Sequence, residues 1–462
     1  MNQKLLFGHQ IDAYLEEMLQ DLEKLIAIPS VCEENSPDGP FGKPCKDALS
    51  FILNRARELG LDTENVENYA GHASYGSKEE CIDILTHLDV VPAGEGWDSD
   101  PFTAVRKGNR LYGRGTADDK GAAIAALYCL KALKDANITG SRRIRAVFGC
   151  GEEIGSDDLT VYYAKEGLPI MGFTPDCSYG ICYAEKGILH LELSARRSDS
   201  SAISRFLAGT AVNAVPGTAR AWLCLNPQKR KQLSELTKDL SHITLKDQGE
   251  LFEICCQGKA AHGAEPELGV NAASTLIRLL YQVLSPEELG PLFTFAAEKI
   301  ALEYDGASLR IQMSDEPSGP LTLNLGLVSA EGGQETLSLD IRYPVTAHKD
   351  RILSSLSQAA EPYDIAITET SHMEPLYIPK DAPMIGLLKD SYEAATGKAC
   401  TLFSTGGGTY ARHCGNRVAA FGPIFQEEPP SNAHGPNEFI DLTYFRMHCR
   451  ICLEALYRML VQ

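Results

Sequence analysis

Long apolar runs are what this sequence most plainly lacks. No stretch reaches the roughly 18 consecutive apolar residues of a bilayer-crossing helix. The opening Met1-Asn-Gln-Lys-Leu-Leu-Phe turns polar at Gly8-His9-Gln10, so the apolar centre of a signal peptide is missing as well. A cytoplasmic protein is expected. Basic residues are the second shortage, 43 Lys and Arg against 62 Asp and Glu, for a formal net charge of −19. Nucleic acid and anionic membrane both demand basic surface, so neither is expected as a partner. Cysteine is plentiful at 14 residues but carries no zinc-knot pattern. The one Cys-x-x-Cys, Cys449 and Cys452, falls in a predicted helix with no second pair, so buried thiols are expected there.

What remains is a chain of 462 residues with 44% hydrophobic content, enough for two or more domains with substantial cores. Ile11, Tyr14, Leu15, Met18, Leu19, Leu22, Leu25 and Ile26 recur at helical spacing and predict an amphipathic helix that Pro29-Ser30 stops. Lys46 to Leu59 reads as a second helix closed by Gly60, followed by a polar loop and a strand over 81–87. Beyond it come an alanine-rich helix over 120–136, a strand over 143–148, a short helix over 159–166 and a strand over 169–173. Strands alternating with helices predict an α/β sheet covered on both faces, and such sheets gather functional residues where strands end.

From Gly187 the pattern changes to half-exposed alternation over 188–194, 321–327 and 336–341, with a long helix over 269–284 between. This predicts an inserted α+β domain. The expected organisation is 1–186 and 381–462 as two parts of one catalytic α/β domain, with 187–380 as the insert and a final helix over 442–460 closing the core.

Acid and histidine residues gather after predicted strands, at a glycine-rich turn and, for His434, after a proline-rich loop. Thr86-His87-Leu88-Asp89 projects an imidazole and a carboxylate from one face, the pairing of a metal-bound histidine with the carboxylate that orients it. Leu111-Tyr-Gly-Arg-Gly-Thr-Ala-Asp-Asp-Lys-Gly-Ala delivers Asp118 and Asp119 to a helix start, where helix capping is the plain alternative. Cys150-Gly-Glu-Glu-Ile-Gly places Glu152 and Glu153 side by side, where one can bind metal and the other act on water. Asp176 follows a strand and a proline, and His434 lies in Ser-Asn-Ala-His-Gly-Pro-Asn-Glu. His87, Asp118, Glu153, Asp176 and His434 are too many ligands for one open tetrahedral zinc. They suit two metals sharing a bridging carboxylate, with Asp118 as the bridge.

The motifs from Thr86 (Thr-His-Leu-Asp-Val-Val-Pro-Ala-Gly-Glu-Gly-Trp-Asp-Ser-Asp-Pro-Phe), from Gly113, from Gly151 and at His434 resemble the co-catalytic zinc peptidases that include aminoacylase, glutamate carboxypeptidase and dipeptidase V. The likeness spans nearly the whole chain and is greatest to the dipeptidase V branch. It implies a zinc-peptidase-like mixed sheet flanked by helices, with the insert as a lid. It implies two divalent ions per chain, zinc foremost, although manganese and cobalt accept the same oxygen-rich set. His87 and Asp176 would complete one site, Glu153 and His434 the other. Asp89 would orient His87, Glu152 would be the general base, and Asp119 is left as a helix cap. A cis peptide at Asp118-Asp119 is also implied. By the same resemblance Asn213, His262 and Arg342 reach the substrate from the lid, and Gly406, Gly407 and Gly408 meet its carboxylate. The expected activity is hydrolysis of dipeptides with a free N-terminus by a monomer. The alternatives are an N-acyl amino acid deacylase on the same scaffold and a catalytically silent peptide-binding protein.

Overall fold

The computed structural model describes residues 6–33 and 36–462; the Met1–Leu5 part of the polar N-terminal stretch lies outside them. The chain divides into two compact units, one running to Tyr183 and resuming over Leu376–Phe403 and Gly408–Gln462, the other comprising Ala184–Pro375 with Ser404–Gly407. None of the helices among the described residues is long and apolar enough to cross a membrane.

At the centre of the first unit four parallel strands lie in the order Arg143–Gly149, Cys81–His87, Met171–Thr174 and Val418–Ala420. Strand Cys81–His87 is buried along its whole length, as a parallel strand covered on both faces must be. Its charged Asp83 survives there because Arg145 on the neighbouring strand meets it with two hydrogen bonds of 2.7 and 2.8 Å. Helix Lys120–Asp135 is apolar around nearly its whole circumference and packs between the sheet and the final helix, Leu442–Val461. Cys449 and Cys452 are buried in that final helix.

Several elements depart from the sequence expectation. The N-terminal amphipathic segment begins as a 3-10 helix over Phe7–Tyr14 and becomes α-helical only at Leu15–Ile26. The stretch read as a polar loop before Cys81 holds a hairpin, Asp62–Val66 and Ala70–Tyr75, whose second strand pairs antiparallel with Arg143–Gly149. Its inner strand, Ala-Gly-His-Ala-Ser-Tyr, is built of small residues because helix Gly42–Glu58 closes on it, and a Cβ at Gly71 would meet Leu53 at 2.9 Å.

The second unit is an eight-stranded antiparallel sheet in the order Ile243–Asp247, Phe252–Gln257, Thr218–Leu223, Ile203–Ala208, Thr322–Glu331, Gln334–Tyr343, Gly187–Arg196 and Ala366–Met373. Leu189, Leu191 and Leu193 face its apolar core while the residues between them are more exposed, the alternation read from the sequence. The helix expected over 269–284 is confined to Ala272–Tyr281: Asn271 caps it by accepting the Ser274 N–H, and Gly269-Val270 is extended instead, Val270 pairing with Lys259.

Candidate metal centre

The acidic and histidine side chains singled out in the first unit converge beyond the C-terminal ends of its parallel strands. His87 is the last residue of Cys81–His87, Glu152 and Glu153 lie in a short 3-10 turn after Arg143–Gly149, and Asp176 follows Met171–Thr174. The Asp118 turn depends on two glycines. Gly115 adopts φ +85°, and a Cβ on Gly121 would stand 2.4 Å from the Thr116 carbonyl oxygen. The Asp118–Asp119 peptide is cis.

Asp118 divides its two carboxylate oxygens. Oδ1 lies 2.9 Å from His87 Nε2, and Oδ2 lies 3.0 Å from His434 Nε2. His434 Nε2 is in turn 3.2 Å from Glu153 Oε1. Ligand atoms of His87, Glu152 and Asp176 lie within 4.8 Å of one another, as do those of His87, Asp118 and Glu153. Asp89 stands behind both groups: its backbone carbonyl is 3.0 Å and its Oδ1 3.4 Å from His87 Nδ1, while its Oδ2 accepts the Glu153 backbone N–H at 3.0 Å.

Electrostatics fit this donor set to cations. Burial, together with the Asp176 charge, pushes the Glu152 carboxyl well above the usual range, and burial with the Asp118 charge does the same to Asp176. Burial also opposes ionisation of Asp118, yet its bonds to His434 and His87 hold it below the ordinary value. Hydrogen bonds to Asp118 and Glu153 raise His434 to about 10. Ionising all of these carboxyls would put more negative charge around the two imidazoles than they balance, the imbalance that divalent ions relieve.

Asp119 is not the cap expected of it. Its side chain makes no capping bond to helix Lys120–Asp135; it is buried, and its Oδ2 accepts the His87 backbone N–H at 3.2 Å. The strand end at His87 thus offers Asp119 a donor that the helix start does not.

Sequence reasoning passed over other supports. Asp158 Oδ2 accepts the N–H groups of Cys150 and Gly151 at 2.8 and 3.0 Å, fixing the approach to Glu152, and also accepts the Tyr410 hydroxyl. Its position at the start of helix Asp157–Glu166, just after the glutamate pair, was the available signal.

In the second unit Asn213 and His262 sit on adjoining loops, with Gly263 N–H donating to the Asn213 carbonyl at 2.7 Å. His262 Nδ1 accepts the Ala264 N–H at 3.2 Å, so in the neutral ring Nε2 carries the proton. Burial, then the Arg342 charge, lowers its pKa. Arg342 forms a two-pronged pair with Asp340 at 2.7 and 2.9 Å and donates to the Gly406 carbonyl at 3.0 Å. Gly407 N–H donates to Thr405 Oγ1, and Gly408 belongs to the first unit.

The model of the peptidase family M20/M25/M40 matches residues 84–460, the stretch that holds all of these side chains. The chain belongs to this peptidase family. It is 34% identical over 459 residues to YtjP of Bacillus subtilis (strain 168), covering 96% of this chain and 97% of that protein. It is 33% identical over 463 residues to the Beta-Ala-Xaa dipeptidase of Lactobacillus delbrueckii subsp. lactis, covering 98% of each. Among solved structures, human carnosine dipeptidase 1 superposes with a TM-score of 0.59 at 15% identity, covering 98% of both chains. The M20 metallo-carboxypeptidase Sso-CP2 of Sulfolobus solfataricus does so with 0.59 at 17%, covering 96% of this chain and all of that one. At such identities the structures speak for a shared fold, here the α/β metallopeptidase fold with an inserted α+β unit.

Proposed function

We propose that this protein is a dinuclear metallo-dipeptidase that hydrolyses short peptides with a free N-terminus. The carrying observation is the division of Asp118 between His87 and His434, a set of side chains that would hold two cations with Asp118 shared between them. Asp176 would complete the His87 side and Glu153 the His434 side. Zinc is the proposed metal, the set of three carboxylates and two imidazoles serving manganese or cobalt as well. When bound, such a pair acidifies a water and polarises the scissile carbonyl.

The chain's own residues do the rest. Glu152, half-buried and not among the five ligands, accepts the proton of the attacking water on its carboxylate and returns it to the leaving nitrogen. Asp89 fixes the His87 ring through Nδ1 and the Glu153 backbone through its other oxygen, so one residue holds a ligand on each side. His262, with Nε2 as donor, stabilises the carbonyl oxygen as it gains charge, and Asn213 and Arg342 bind the substrate. The Gly406–Gly408 turn is assigned to the substrate carboxylate. The chain is taken to act as a monomer in the cytoplasm.

Preference for dipeptides is supported by the named Lactobacillus relative, similar along 98% of both chains. Elemental analysis of the purified protein, paired with a panel of unblocked dipeptides against N-acetyl and N-succinyl amino acids, tests the proposal. Metal-dependent turnover of the unblocked set is expected. Preference for the blocked set would make the protein a deacylase.

A further inference from the structure

Two buried residues lie within the site motifs and have no part in the chemistry above: Arg114, in Gly-Arg-Gly-Thr-Ala-Asp-Asp, and Glu438, four residues after His434. Their side chains are 1% and 0% exposed, and Arg114 Nη1 meets Glu438 Oε2 at 2.6 Å. The other oxygen, Glu438 Oε1, accepts the backbone N–H of Ala117 at 2.9 Å and that of Asp118 itself at 3.2 Å. The Glu438 carbonyl accepts the Gly113 N–H at 3.0 Å. Arg114 Nη2 reaches the carbonyls of Pro92 and Ala93 at 3.4 and 3.3 Å, and its guanidinium lies over the Trp97 ring, whose Nε1 also donates to Ala93.

Three loops therefore close on one ion pair. The first leaves His87 and Asp89 and continues through Pro92-Ala93. The second carries Asp118, and the third carries His434 and ends in Glu438. Each brings at least one proposed ligand, and the three are remote from one another in sequence. A carboxylate that accepts the N–H of the bridging aspartate also fixes where that aspartate's side chain starts. We infer that Glu438, held by Arg114, is a positioning residue of the metal centre that sets Asp118 and His434 in register with the loop following His87. The inference rests on the two-metal reading above and goes beyond its ligands to what aligns them.

A buried ion pair can serve stability alone, and the Asp83–Arg145 pair, 0% exposed on both sides and on the same unit's sheet, provides the comparison. The Asp83 side chain bonds to Arg145 and the Tyr163 hydroxyl, both outside the three loops. The experiment measures zinc affinity of the full chain by competition with a chromophoric chelator, alongside melting of the metal-free protein, for wild type, Glu438→Gln, Arg114→Lys and Asp83→Asn. In Glu438→Gln the amide oxygen can still accept both N–H groups, but its NH₂ then faces the guanidinium and the ion pair that holds it is lost. Arg114→Lys keeps the charge and loses the planar fork that reaches Pro92 and Ala93. Both are expected to weaken zinc binding roughly 10- to 100-fold, the usual effect of losing a group that orients ligands. Asp83→Asn is expected to lower the melting temperature with zinc affinity unchanged. If Glu438→Gln does not fold, Arg114→Lys decides. Zinc affinity within twofold of wild type in the folded variant, with only melting affected as in Asp83→Asn, would overturn the positioning role while leaving the two-metal reading intact. A wild-type chain that takes up no zinc, manganese or cobalt would overturn both.

Discussion

Asp89 Oδ2 accepts the backbone N–H of Glu153 at 3.0 Å, while the other oxygen of the same carboxylate stands 3.4 Å from His87 Nδ1. The residue that the motif pairs with His87 thus also holds the Glu153 loop. Asp89 is 0% exposed, so its removal also leaves a buried cavity beside both groups. Asp89→Ala is expected to reduce metal affinity or turnover by roughly 10- to 100-fold, and to weaken uptake of both ions rather than one. Metal titration that resolves the two binding steps checks this; loss confined to one step would contradict it.

Acid sensitivity follows from histidines buried without charge. His72 is 4% exposed, bonds the Tyr162 hydroxyl through Nδ1 at 2.9 Å, and has its pKa lowered by burial to about 3. Between the unfolded value near 6.5 and about 3, the unfolded chain binds a proton that the folded chain refuses. Stability is therefore complete above pH 6.5 and falls as pH drops, by about 1.4 kcal/mol per pH unit for this group. His72→Gln, which can keep the bond to Tyr162, is expected to flatten the stability profile by that slope between pH 6 and 4. Denaturant titrations of metal-free wild type and variant across that range measure the difference.

Arg342 is held by Asp340, a residue 0% exposed against which Gly263 packs so closely that a Cβ there would fall 2.4 Å from Asp340 Oδ2. The glycine after His262 is accounted for by this contact. Asp340→Asn weakens a two-pronged charged pair, an interaction of about 1.5–3 kcal/mol. With Arg342 binding substrate, KM for dipeptides is expected to rise roughly tenfold or more with a smaller change in kcat. Steady-state kinetics separates the two parameters, and an unchanged KM would remove Arg342 from substrate binding.

The parts of this molecule legible in its sequence are those where periodicity and function coincide. Strand Cys81–His87 is mostly apolar up to the histidine at its end, and Asp176 follows a short apolar strand and a proline, so both stood out. The hairpin over Asp62–Tyr75 did not, because strand Ala70–Tyr75 is built of small and polar residues whose burial comes from the helices packed on it, Gly42–Glu58 and Lys120–Asp135 among them. Asp119 read as a helix cap because local spacing favours that role, whereas its partner is the backbone of His87, reached only through the fold. Arg114, Asp158 and Glu438 escaped for the same reason. Each sits in or beside a recognisable motif, but the Arg114–Glu438 bonds and the bond from Tyr410 to Asp158 join parts of the chain that sequence order does not bring near.

The central claim is that Glu152 moves the proton in a metal-dependent hydrolysis whose ligands are other residues. Replacing it with glutamine keeps the shape and removes the base. Metal content and dipeptide turnover measured together on Glu152→Gln test this most directly. Two divalent ions per chain with turnover lowered about 10²- to 10⁴-fold is the predicted result; two ions per chain with turnover at the wild-type level would contradict it.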